Sequence, residues 1–126
     1  MRLLLAAVLA LLLAACAQPP RAPEGLMDVA SRPAEKALLT GIRAYEDGQY
    51  GESEQQLERA LAAGLVSPRD RAAAHKYLAF IYCTSSRMAE CEASFRAAHE
   101  ADAAFALSRS EAGHPLWGPV YQRVLH

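Results

Sequence analysis

The chain has no G-x-S-x-G elbow, no phosphate-binding glycine loop and no H-E-x-x-H pair. The common signatures of hydrolase nucleophiles, nucleotide sites and zinc proteases are therefore missing. It also has no excess of charge: 13 Lys and Arg stand against 14 Asp and Glu, with no basic run and no acidic tail. That balance removes the electrostatic case for nucleic acid. β-Branched residues are few and alanine is abundant, which disfavours a sheet and predicts helices. No apolar run reaches the roughly 20 residues that span a bilayer. Glu52, Glu54 and Glu58 share their stretch with Gln55, Gln56 and Arg59, the make-up of a solvated helix face. His114 sits beside Pro115, where a lone His is better placed for hydrogen bonding than for proton transfer. No catalytic residue, cofactor, bound metal or small-molecule substrate is expected.

What is present begins at the N-terminus. Arg2 is followed by an unbroken apolar run from Leu3 to Leu13 and then by small residues ending at Cys16. A basic start, a short apolar core and a small-residue boundary make a secretory signal. Its last four residues, "LAAC", resemble a bacterial lipobox. The resemblance implies cleavage after residue 15 and acylation of Cys16, which anchors the chain to a membrane when several acyl chains are attached. Ala17, where an Asp would signal inner-membrane retention, implies the outer membrane, with the protein facing the periplasm.

Residues 16–32 hold three prolines and read as a linker of up to roughly 55 Å when extended. Leu26, Met27 and Val29 are the apolar residues in it, free either to dock locally or simply to be tethered.

From Pro33 the apolar spacing becomes helical. The segments 34–65 and 72–103 align with an offset of 38 residues. Small residues recur as Gly41 and Ala79, and again as Ser53 and Cys91. Bulky ones recur as Leu57 and Phe95, followed by Ala60 and Ala98. Gly48 and Tyr50 mark a turn in the first copy, which Ser86 and Met88 match only in part. The pattern resembles the tetratricopeptide repeat, a pair of antiparallel helices of about 34 residues. The closing proline of that repeat is replaced by Leu65 and Ala103. The expected fold is all-α: two such helix-turn-helix repeats over residues 33–108 and a C-terminal cap over 109–126.

Ser67, Pro68 and Asp70 supply a cap, a first helical residue and a first-turn acid for the second repeat. The stretch "HKYLAFIYC" is apolar nearly all round, so its helix should be enclosed on several sides. Two repeats need further cover. Gly113 and Pro115 predict a turn and Pro119 to Leu125 a short helix, with Trp117, Val120, Tyr121 and Val124 on one face. Covering the core is the plainer role for this segment; binding a partner is the alternative.

Cys83 and Cys91 are separated by seven residues, a spacing that by itself leaves a metal site, a redox pair and a staple open. Secretion implies an oxidising compartment, and lipid on Cys16 leaves these two for one bridge. A zinc site would have to recruit His75 and His99. The repeat alignment puts both cysteines near one turn, which favours the disulfide.

By resemblance to tetratricopeptide proteins, a partner-binding groove would be lined by Leu38, Ile42, Lys76 and Phe80. These are mostly apolar, and only Lys76 matches the groove residues of repeats that clamp a peptide carboxylate. An apolar partner helix or the chain's own linker suits them better.

A closer resemblance rests on "HKYLAFIYC", "FRAAHEADAAFALS" and "EAGHPLWGPVYQRV". Together with the lipobox they resemble the TssQ family of lipoproteins associated with type VI secretion. The resemblance implies a non-catalytic adaptor whose partners are proteins of a secretion or envelope complex. Pilotins and envelope-assembly factors of the same architecture are the alternative family.

Overall fold

The computed structural model describes Gly25 and residues 32–126. The signal, Cys16 and the linker up to residue 31, Gly25 apart, lie outside the described residues. Six helices follow one another: α1 (Pro33–Glu46), α2 (Tyr50–Ala63), α3 (Pro68–Thr84), α4 (Met88–Ala101), α5 (Arg109–Ala112) and α6 (Gly118–Leu125). There is no strand among the described residues. None of the described helices is long and apolar enough to cross a membrane.

The helix boundaries follow from local chemistry. Pro33 and Pro68 stand in the first turns of α1 and α3, where a missing N–H costs nothing. The Ser67 hydroxyl accepts from the Asp70 N–H at 3.3 Å, capping α3 as expected. Arg71 donates to the Leu65 and Val66 carbonyls and so ties down the connection from α2.

The two helix pairs close through the same turn, 38 residues apart. Gln49 N–H donates to the Ala44 carbonyl at 2.8 Å, and Arg87 N–H to the Tyr82 carbonyl at 2.8 Å. Asp47 N–H bonds Arg43 as Ser85 N–H bonds Ile81. The left-handed residue of the turn is Gly48 in the first copy (φ 74°) and Ser86 in the second (φ 64°). The offset read from side chains is therefore repeated in the backbone.

Within each pair the small residues let the helices touch. A Cβ on Gly41 would lie 2.9 Å from Leu57 Cγ and 3.2 Å from the Leu57 backbone N. The buried Ser53 hydroxyl donates across the same contact to the Gly41 carbonyl at 2.7 Å. Leu57, Ala60, Cys91, Phe95 and Ala98 are fully enclosed. Burying a side chain such as Leu57 or Phe95 contributes about 1.5–3 kcal/mol.

Helix α3 packs against α1, α2 and α4. Its residues Leu78 to Cys83 are buried in unbroken succession, as the all-round apolar stretch predicts. Helix α6 covers α4, with Trp117, Val120 and Tyr121 buried and Val124 half-buried. The cap begins one residue before Pro119, at Gly118, and is preceded by the short α5.

Candidate functional site

The two cysteines of the second pair come together. Cys83 near the end of α3 and Cys91 in the first turns of α4 have their sulfurs at disulfide distance, 1.99 Å, with Cα atoms 5.1 Å apart. Cys91 takes the place that Ser53 holds in the first pair. One helix pair is thus joined by a hydrogen bond and the other by sulfur. His75 and His99 do not join them: among the described residues no group of three or more His, Cys, Asp or Glu side chains is placed to hold a metal. The His75 imidazole is pushed down by burial, against the opposing charge of Glu100.

The four groove positions have different surroundings from those of an open surface. Leu38 and Phe80 are 5% and 3% exposed, while Ile42 is half-buried against the core. Lys76 donates to Glu111 at 2.8 Å, and its ammonium sits over the Tyr77 and Phe80 rings at 4.8 and 5.8 Å. For Lys76 and Phe80 the reason is the C-terminal segment, which folds back onto α3. It puts Glu111 on Lys76 and Trp117 on Phe80, so the groove of the second pair is filled in cis. Of the four expected groove residues, Leu38 and Phe80 are thus buried, while Ile42 and Lys76 are half-buried.

The segment is held by a specific lock. Ser108 and Glu111 form a reciprocal capping box, which fixes the Glu111 carboxylate toward Lys76. Burial alone would raise the Glu111 carboxyl; hydrogen bonds from Lys76 and Ser108 outweigh it and hold the group below its usual value. The Trp117 indole N–H donates to the Glu111 carbonyl at 2.7 Å. His114 lies flat on the other face of the indole, with centroids 3.4 Å apart and planes within 4°. A Cβ on Gly118 would fall 2.3 Å from the Ala112 carbonyl oxygen, so only glycine lets α6 start there. Tyr121 accepts from the Leu107 N–H at 3.3 Å and packs on Phe95, with centroids 5.6 Å apart. Arg123 joins Glu92 of α4 at 2.6 Å.

A second cluster joins the turn of the second pair to α2. Arg87 pairs with Glu54 at 2.7 Å and with Glu90, and its guanidinium lies 4.3 Å from the Tyr82 ring centre. Burial, aided by the Glu58 carboxylate, pushes the Tyr82 hydroxyl up to about 12.

Beside the lock, α3 and the 102–106 segment leave a cleft of about 440 Å³. Arg69, Ala72, Ala73, Lys76 and Phe105 line it. Asp102 also lines it, but its carboxylate accepts from the Ala104 N–H at 3.0 Å.

No protein-family model, curated protein or solved structure matches the chain.

Sequence reasoning located the cap and its apolar face but missed α5, the Lys76–Glu111 pair and the need for Gly118. A signal for the first existed: S-x-x-E at Ser108 to Glu111 is a capping box in sequence. Nothing in the sequence pairs Lys76 with a carboxylate 35 residues on.

Proposed function

We propose that the protein is an outer-membrane-anchored periplasmic adaptor, a lipoprotein of tetratricopeptide type that resembles the TssQ family and assists a type VI secretion system. Acylated Cys16 holds it to the membrane, residues 17–32 are the tether, and the helical unit meets protein partners. The observation that carries this reading is the use made of "GHPLWGPVY". That stretch bears the most specific part of the resemblance, and His114, Trp117, Gly118, Val120 and Tyr121 within it all build the lock. Generic helical repeats do not require such a stretch. The turns that recur with a 38-residue offset support the repeat reading.

The partner surface in this reading is the cleft between α3 and residues 102–106, which Arg69 lines. It suits an acidic segment, for which Arg69 makes no competing ion pair among the described residues.

Complementation tests the role. In a strain lacking the protein, secretion of the type VI tube subunit should fall. Wild type should restore it, and Cys16→Ala should not. Unchanged secretion in the deletion strain would count against the assignment.

A further inference from the structure

Lys76 belongs to two places at once. Its ammonium donates to Glu111 at 2.8 Å in the lock, and with Arg69 it lines the cleft between α3 and residues 102–106. Arg69 stands seven residues earlier on the same helix, about 10 Å along its axis. It is exposed and makes no ion pair among the described residues. Asp102, which also lines the cleft, has its carboxylate on the Ala104 N–H at 3.0 Å. The cleft thus offers one cation unpaired among the described residues and a second held by the tail.

The held cation can change partners at low cost. The Lys76–Glu111 pair is partly exposed, with 20% and 26% of the two side chains accessible, so water reaches both groups. Glu111 keeps the Ser108 N–H at 2.9 Å when the ammonium leaves, because that bond goes to its other carboxylate oxygen. Breaking an ion pair is costly when it strands a buried, unpaired charge, and here it does not. A lysine has a flexible four-carbon stem and three rotatable donors, so a carboxylate in the cleft can draw Lys76 away from the tail.

We propose that an acidic segment of a partner protein, seated on Arg69 in this cleft, takes Lys76 from Glu111 and thereby loosens the C-terminal lock. The proposal rests on the reading of the cleft as the partner surface and adds the regulation of that surface. Lys76 is the second cation of the site, so a segment with two acids binds better than one with a single acid. Linkage is reciprocal: a tail that has let go of Lys76 leaves a cleft that binds the segment more tightly. The lock carries its own reporter. The Trp117 indole donates to the Glu111 carbonyl and stacks on Phe80, and the Lys76 ammonium sits over that Phe80 ring at 5.8 Å. Trp117 is the only tryptophan in the chain, so its emission follows the lock.

Titrating hexaglutamate into the purified protein at low salt reads both parts, binding by calorimetry and the lock by Trp117 emission. In the wild type, binding should bring a red shift of that emission. Glu111→Gln removes the charge that holds Lys76 and should bind at least about fivefold more tightly, the low end of such couplings. Arg69→Ala should weaken binding, and Arg43→Ala, which removes an exposed cation of α1, should leave it unchanged. An unchanged far-ultraviolet circular dichroism spectrum shows that each variant is folded. Binding that leaves Trp117 emission unmoved and is no tighter in Glu111→Gln would overturn the coupling, while the cleft would stand as a site for acidic segments. Absence of binding by both wild type and Glu111→Gln would overturn the reading of the cleft itself, and the coupling with it. Equal weakening by Arg43→Ala and Arg69→Ala would do the same, since the attraction would then be diffuse.

Discussion

Trp117 stacks on Phe80 with ring centroids 4.0 Å apart and planes 18° from parallel. Phe80 belongs to the second helix pair and Trp117 to the tail, so this contact joins the cap to the helix pairs. The indole is buried, and truncating such a ring costs about 3–5 kcal/mol. Trp117→Ala should therefore lower the urea midpoint sharply. His114→Ala, which removes a half-buried partner from the other face, should cost less, about 0.5–1.5 kcal/mol.

Glycine at 118 is a matter of space. Gly118→Ala sets a methyl against the Ala112 carbonyl, a backbone atom that cannot rotate away. The cap should shift and Trp117 fluorescence should move to the red. Gly51→Ala is the control: its Cβ would meet nothing within 4 Å, and it lies in α2. That change should be stabilising by roughly 0.5–1 kcal/mol, read from the thermal midpoint.

The turns predict a second asymmetry. Ser86 holds φ 64°, a region that disfavours a side chain by about 1–2 kcal/mol. Ser86→Gly should raise stability toward that amount, less the entropy glycine adds to the unfolded chain. Gly48→Ala, at the matching turn, should lower it.

The sulfur bridge closes a loop of 8 residues' separation. Chain entropy assigns it roughly 2–3 kcal/mol. Cys83→Ala with Cys91→Ala should lose about that in chemical denaturation. Cys91→Ser with Cys83→Ala should lose a similar amount, because the Ser53 hydroxyl donates to the carbonyl of Gly41, whereas the matching position in the second pair is Ala79.

Acid should loosen the lock. The folded-state value of Glu111 is depressed, so its contribution is present above the ordinary carboxylate range and is lost as pH falls through the depressed value. Trp117 fluorescence should report this step at acid pH. Glu111→Gln should abolish the step while leaving a folded protein.

Much of this architecture was legible in the sequence. The offset of 38 residues came from small and bulky residues that any close-packed helix pair must place, such as Gly41, Leu57 and Phe95. The staple came from compartment and position together. The cap's apolar face came from the spacing of Trp117, Val120 and Tyr121. The fate of the groove was not legible. Lys76 and Phe80 have the spacing of groove residues, and only the path of the tail decides what covers them. Long-range pairs such as Lys76 with Glu111 are set by how elements dock, which local periodicity does not encode.

The proposed role of an anchored adaptor is tested most directly by crosslinking the tagged native protein in intact cells and identifying its partners by mass spectrometry. Recovery of type VI membrane-complex or baseplate proteins, lost with Cys16→Ala, is the predicted result. Recovery of a secretin or of envelope-assembly machinery, with no type VI component, would contradict the role while leaving the fold as described.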